Sequence, residues 1–168
     1  MITKATLENV TEITNLVNSA YRGETSKKGW TTEANILEGN RITETELTEI
    51  LSDANNTILI YQENNKIIGT VLLTNKKTEL YLGMLTIAPE LQNAGLGKKL
   101  LLAAEDYAHS FLLPKIAMTV ITIREELIAW YKRNGYLDTG KRKPFPENFD
   151  DVVLHAEPLN FMVLEKKL

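Results

Sequence analysis

Cysteine is absent from this sequence of 168 residues. Its absence excludes a disulfide framework, cysteine–zinc and iron–sulfur sites, and a cysteine nucleophile. Histidine is scarce: His109 and His155 are the two. His109 falls near the end of a helix-patterned run, where a positive charge is favourable. His155 stands alone in a loop, so neither takes a catalytic assignment, although imidazole titrates near neutrality. No metal site is expected. No run approaches the roughly 20 apolar residues of a membrane span. No basic segment followed by an apolar stretch of signal-peptide length opens the chain. A cytoplasmic protein without a membrane partner is therefore expected. A dominant charge is missing too. There are 19 basic and 22 acidic residues, a net of −3, which argues against a nucleic-acid partner, since such a protein needs a clustered positive surface.

What is present is a globular composition, 43% hydrophobic, in a length that suits one domain over residues 1–168 and a core that needs no staples. Residues 2–6 alternate and read as a strand. Over 8–21, Val10, Ile13, Leu16, Val17, Ala20 and Tyr21 recur at three- and four-residue steps, one face of a helix. Thr6 and Asn9 both suit its N-cap. Residues 22–40 fit no period. Thr43 and Glu46 form a capping-box signature ahead of Leu47, Ile50 and Leu51, a short second helix. Strands are expected over 57–62 and 66–74, joined by a turn at Asn64-Asn65, because asparagine tolerates positive φ. A further strand over 80–87 stops at Ala88-Pro89. A helix over 96–111, a strand over 116–122, a helix over 125–134 closed by Gly135, a strand from Tyr136, a loop over 141–151 and a strand over 159–164 follow. The order implies a single α/β domain with a mixed sheet.

The segment 87–98 joins a strand to a helix through Gly95 and Gly97. Without a Cβ, glycine lets a ligand approach the backbone. The first N–H groups of a helix lack internal partners and attract phosphate, and Lys98 and Lys99 add positive charge. Lys98 is followed by Lys99 rather than serine or threonine, so this is not the nucleotide-hydrolase phosphate loop. The third glycine of the dinucleotide fingerprint is missing as well. By itself the pair of glycines also fits a plain strand-to-helix turn.

Gln92-Asn93-Ala94-Gly95-Leu96-Gly97 fits the Q/R-x-x-G-x-G/A pattern of the GCN5-related N-acetyltransferases. Tyr131-Lys132-Arg133-Asn134-Gly135-Tyr136 is similar to the Y-x-x-x-G-F/Y that ends that family's next helix. Lys66-Ile67-Ile68-Gly69 resembles its strand after the first hairpin. The resemblance covers nearly the whole chain. It implies a mixed, mostly antiparallel sheet splayed at its central strands, with helices on both faces, and acetyl transfer from acetyl-CoA to a primary amine of a small molecule or a peptide N-terminus. It implies that Gln92, Asn93, Ala94, Gly95, Leu96, Gly97 and Lys98 bind the pyrophosphate, and that Met84, Leu85, Thr86 and Ile87 line the pantetheine arm. Gly83 is the expected bulge that opens the splay.

In the implied chemistry a neutral amine attacks the thioester, a base takes its proton, and the departing sulfur needs a proton or hydrogen bond. A backbone N–H of the splayed strand can hold the oxyanion. The resemblance puts Tyr131 near the sulfur as the acid, although its spacing from Leu127 and Ile128 equally suits a core aromatic. Glu79 and Tyr81, at the start of the central strand, and Glu33 and Glu24, in the irregular loop, are the candidate bases; each carboxylate also reads as an ordinary surface group. Arg124 stands where many members have asparagine, so it is a candidate for a coenzyme phosphate or an acidic acceptor group. For the acceptor, Arg22, Glu24, Trp30 and Phe145 are the candidate contacts, with Arg22 and Arg41 suited to a carboxylate. Lys141, Arg142 and Lys143 read as a solvated cluster. With no cysteine, an acetyl-cysteine intermediate is excluded. Two other readings stay open: a non-catalytic acyl-CoA-binding module on the same fold, and a nucleotide- or phosphate-binding enzyme of another fold. A homodimer paired through the final strands is a further expectation.

Overall fold

The computed structural model describes residues 1–22, 27, 29, 31–34, 37–38, 40–145, 152–153 and 159–168, without the side chains of 37, 38, 152 and 153. Its elements run β1 (Ile2–Lys4), α1 (Val10–Tyr21), β2 (Leu37–Glu38), α2 (Glu44–Ser52), β3 (Asn56–Glu63), β4 (Lys66–Asn75), β5 (Leu80–Ile87), α3 (Leu96–Ser110), β6 (Lys115–Ile121), α4 (Glu125–Arg133), β7 (Leu137–Pro144), β8 (Val152–Val153) and β9 (Asn160–Lys167). Seven strands form one sheet in the order β1-β3-β4-β5-β6-β9-β7, while β2 and β8 pair separately. Every pairing is antiparallel except β5 with β6.

Period-two patterning places cores on both faces. Along β3, Ile58 and Ile60 pack with Val10, Ile13 and Val17 of α1 and Leu47 of α2. The alternate residues Leu59 and Tyr61 pack with Leu100, Leu101 and Ala104 of α3. The β3–β4 hairpin turns at Asn64 and Asn65, with φ of 51° and 61°, the paired positive angles a two-residue hairpin requires. Thr43 caps α2 by accepting from Glu46 N–H at 3.2 Å. No described helix is long and apolar enough to cross a membrane.

Of the two N-cap candidates, Thr6 precedes a short 3-10 turn over Leu7–Asn9 and Asn9 precedes the first helix, which starts at Val10; Asn9 Oδ1 accepts from Thr6 N–H at 2.9 Å. Two expectations need correction. The expected loop over 141–151 is strand up to Pro144: Arg142, Lys143 and Pro144 pair with Met162, Phe161 and Asn160. The exposed side chains of β7 carry no alternation, so its partner β9 defines it. The bulge of β5 lies one residue beyond Gly83. Leu72 pairs with Gly83 and Thr70 with Thr86, so Met84 and Leu85 face one residue of β4. Met84 has φ of 48°, and Thr86 Oγ1 closes the kink by donating to Met84 O at 2.9 Å. A methionine in the left-handed region is uncommon, and its buried side chain, packed against the α1 core, holds it there.

Candidate active site

The parallel pairing of β5 and β6 lasts two residues, Leu80 with Ile116 and Tyr81 with Ala117. Beyond it β6 stays paired to β9 as far as Ile121 with Phe161, while the Met84 bulge turns β5 away. Tyr81 bridges the start of this slot, its hydroxyl 2.8 Å from Thr119 Oγ1. From Leu82 onward no β6 strand covers that edge of β5. Tyr21, the last residue of α1, reaches into the opening and donates its hydroxyl to Leu85 O at 2.9 Å.

Two cavities meet at the slot. The larger, about 440 Å³, runs from Leu85, Thr86 and Ile87 to the start of α3 and is walled by Trp130 and Tyr131 of α4. Gly95, with φ of 80°, is the N-cap of α3, a conformation that glycine adopts without a Cβ penalty. The first turn of α3 contains no acidic residue, and Lys98 lies on the cavity wall. Unpartnered N–H groups, the helix dipole and this ammonium suit an anion. Gln92 ties the loop back by donating to Ile87 O at 3.2 Å. Gly97 is glycine for a packing reason: a Cβ there would sit 3.1 Å from the Trp130 ring.

The smaller cavity, about 250 Å³, lies on the other side of the slot, between β5 and β6 and against Phe145 and Phe161. Tyr21, Leu85, Arg124, Leu127 and Tyr131 belong to the walls of both cavities. Tyr131 is 5% exposed, and no hydrogen bond to its hydroxyl forms among the described residues. Burial pushes that hydroxyl far above the ordinary tyrosine range, and the adjacent Tyr21 adds to the shift. It stays protonated at every physiological pH, able to donate a hydrogen bond.

A buried ion cluster organises the small cavity. Glu33, 6% exposed, accepts from Arg22 Nε at 2.9 Å and from Arg124 Nη1 at 3.0 Å, and both arginines are equally buried. Arg124 also donates to Thr31 Oγ1 at 2.8 Å, whereas its Nε is buried without a partner. Glu33 N–H donates to Tyr21 O at 2.9 Å. The cluster thus fastens the segment after α1 to the start of α4. The Arg41 guanidinium lies over the Tyr21 ring, 5.4 Å from its centroid, and that of Arg124 is 5.8 Å from it.

Of the expected coenzyme contacts, Leu85, Thr86, Ile87, Gln92, Asn93, Gly95, Leu96, Gly97, Lys98, Arg124 and Tyr131 border the large cavity. Met84 borders only the small one, and Ala94 neither. Among the candidate bases, Tyr81 and Glu33 border the small cavity, but both oxygens of Glu33 are engaged by arginine. Glu79 borders neither cavity. Arg124, considered for a phosphate or an acidic acceptor, has its acidic partner within the chain. Arg22 and Phe145 border the small cavity. Glu24 and Trp30 lie outside the described residues. Trp130 and Tyr21 are cavity residues beyond those expected; the only local signal for Trp130 is its place beside Tyr131, and that for Tyr21 its place on the apolar face of α1.

The acetyltransferase (GNAT) family model matches residues 10–136. The chain belongs to this family. Solved structures with the GNAT fold match over most of its length. The ribosomal-protein-S18-alanine N-acetyltransferase of Escherichia coli superposes with a TM-score of 0.74 at 12% identity, over 99% of this chain and 92% of that one. A GNAT-family acetyltransferase of Streptococcus pneumoniae gives 0.70 at 20% identity, over 100% and 99%. One from Elizabethkingia anophelis, solved with acetyl-CoA bound, gives 0.60 at 18% identity, over 75% and 84%. At such identities the likeness is one of fold. No curated protein matches the sequence. The mixed sheet with helices on both faces is the GNAT fold that the glycine loop and the second motif had implied, including the parting of its central strands.

Proposed function

We propose that this GNAT protein is an N-acetyltransferase that moves an acetyl group from acetyl-CoA directly to a primary amine, on a small molecule or a peptide N-terminus. The observation that carries the reading is the pair of cavities sharing a wall where β5 and β6 part. One ends at a helix N-terminus suited to a pyrophosphate, and the other is small and polar enough for an amine. Gln92 to Lys98 would hold the pyrophosphate through backbone N–H groups, and the open edge of β5 at Leu85, Thr86 and Ile87 would pair with the amide-bearing arm. Acetyl-CoA supplies the thioester.

Within that frame the residues divide the work. The neutral amine's nitrogen forms a bond to the carbonyl carbon, the carbon–sulfur bond breaks with its electron pair leaving on sulfur as a thiolate, and the proton lost by nitrogen passes to solvent water. Tyr131 hydrogen-bonds the departing sulfur. A thiol loses its proton near pH 8.5, well below the buried Tyr131, so Tyr131 stabilises the thiolate as a donor rather than surrendering its proton outright. The Met84 bulge, where the β4–β5 register shifts, would supply a backbone N–H for the developing oxyanion. Glu33 positions Arg22 and Arg124 instead of acting as the base, because both its oxygens are occupied.

The test is release of free coenzyme A from acetyl-CoA with a panel of amines, alongside calorimetric binding of acetyl-CoA. The reading expects amine-dependent thiol release, with coenzyme binding weakened in Lys98→Glu, which sets a negative charge on the cavity wall at the helix entrance. Tight acetyl-CoA binding without release for any amine would instead identify a non-catalytic acyl-CoA-binding module.

A further inference from the structure

We infer that the acceptor amine also bears a carboxylate, and that Arg41 is the residue that recognises it. The inference rests on the acetyl-transfer reading and adds the acceptor's chemical class. The small cavity has three guanidinium groups on its wall, those of Arg22, Arg41 and Arg124, against one described carboxylate, Glu33. Glu33 is spent on Arg22 and Arg124. Arg41 is half-buried, touches the Tyr21 ring at 5.4 Å and forms no ion pair among the described residues. Arg124 adds a second donor with no partner, its buried Nε. Among the described residues, Arg41 is the guanidinium of this wall without an acid beside it.

The coenzyme does not supply one, because Arg41 borders the small cavity and not the large one. A half-buried guanidinium repels a di- or polyamine and attracts an anion, and its fork matches a carboxylate in two parallel hydrogen bonds. Arg41 lies over the ring of the same Tyr21 whose hydroxyl meets the Leu85 carbonyl at the slot. The tilted Phe145–Phe161 pair, with centroids 5.3 Å apart, gives the same cavity an apolar side for a hydrocarbon substituent.

The experiment measures kcat/KM for phenylalanine, leucine, β-alanine and γ-aminobutyrate, each against its carboxamide, with spermidine as a polycation. A charge-assisted hydrogen-bonded pair should favour at least one carboxylate over its carboxamide by about 10- to 100-fold. The preference should shrink with added salt, collapse in Arg41→Gln and partly return in Arg41→Lys, while acetyl-CoA affinity, which reports an intact fold, stays the same. Equal use of acids and amides, a preference for spermidine, or an Arg41→Gln effect of the same size on acid and amide overturns the inference and leaves acetyl transfer standing. If no amine is acetylated, acetyl transfer fails by itself. The inference is then read from calorimetry of N-acetylphenylalanine against its amide: tighter binding of the acid, lost in Arg41→Gln, supports it, and equal binding refutes it.

Discussion

Removing the Glu33 carboxylate separates two accounts of this residue. Glu33→Ala leaves Arg22 and Arg124, 7% and 5% exposed, facing each other without the anion that joins them at 2.9 and 3.0 Å. Breaking a buried ion pair by deleting one partner costs about 3–5 kcal/mol, most of it the penalty for the stranded charge. In a domain of this length each kcal/mol shifts Tm by about 2–4 °C, so the loss is about 6–20 °C. The assay is thermal unfolding followed by circular dichroism, repeated for Arg124→Met and for the double variant. Because the two side chains share one cluster, the double variant should be less destabilised than the sum of the singles. Replacing all three charged residues by apolar ones of similar volume should recover much of the stability. In Glu33→Gln, kept below its Tm, the acceptor KM should rise while the pH profile of kcat keeps its shape. A Tm drop of less than about 2 °C, joined to loss of the acidic limb of that profile, would refute the argument and make Glu33 the base.

The remaining predictions concern other parts of the chain. Tyr131→Phe should lower kcat by on the order of 100-fold with little change in Tm, since its hydroxyl has no described partner; unchanged kcat removes Tyr131 from the chemistry. Leu112, at the end of α3, has φ of 55° and is 90% exposed. Leu112→Gly should relieve that strain and raise stability by about 0.5–1 kcal/mol, read as a higher Tm; a fall would show that the leucine is held by contacts worth more than the strain. Asp138 is held down at about 2, first by its hydrogen bonds from Arg142 and then by Gly140 N–H. A depressed carboxylate stabilises the fold above its unfolded value of about 3.9 and ceases to do so as pH falls toward about 2. Asp138→Asn should therefore be less stable than the parent in urea at neutral pH, with the gap closing between about pH 4 and 2; a pH-independent gap contradicts the pairing.

The elements legible in the sequence are those whose signal is local. Asn64-Asn65 announces its hairpin because the turn demands positive φ at both positions, and Gly95 announces the start of α3 for a similar reason. The α1 face reads from Val10, Ile13 and Val17, since one helix surface meets one core. Where the structure departs, the cause is a distant partner. Lys141 to Pro144 become strand through β9, and β2 exists through β8, more than a hundred residues away. The bulge falls at Met84 rather than Gly83 because burial in the α1 core outweighs a side chain's aversion to positive φ. Nothing near Glu33 marks it as enclosed: Arg22 lies 11 positions before it and Arg124 lies 91 after it, so a carboxylate in a polar loop reads as solvated.

The two ends of the sheet also bear on how copies of this chain meet. At one end β1 contributes three residues, too few to template another strand. At the other, β7 presents Lys141, Arg142, Lys143 and Pro144, bends at an irregularity between Asp138 and Arg142, and includes Gly140 at φ of 83°. Adding a strand there would set cations of two chains side by side and find no N–H at Pro144. Among the described residues, both ends of the sheet thus resist the addition of a strand, which disfavours edge-to-edge aggregation.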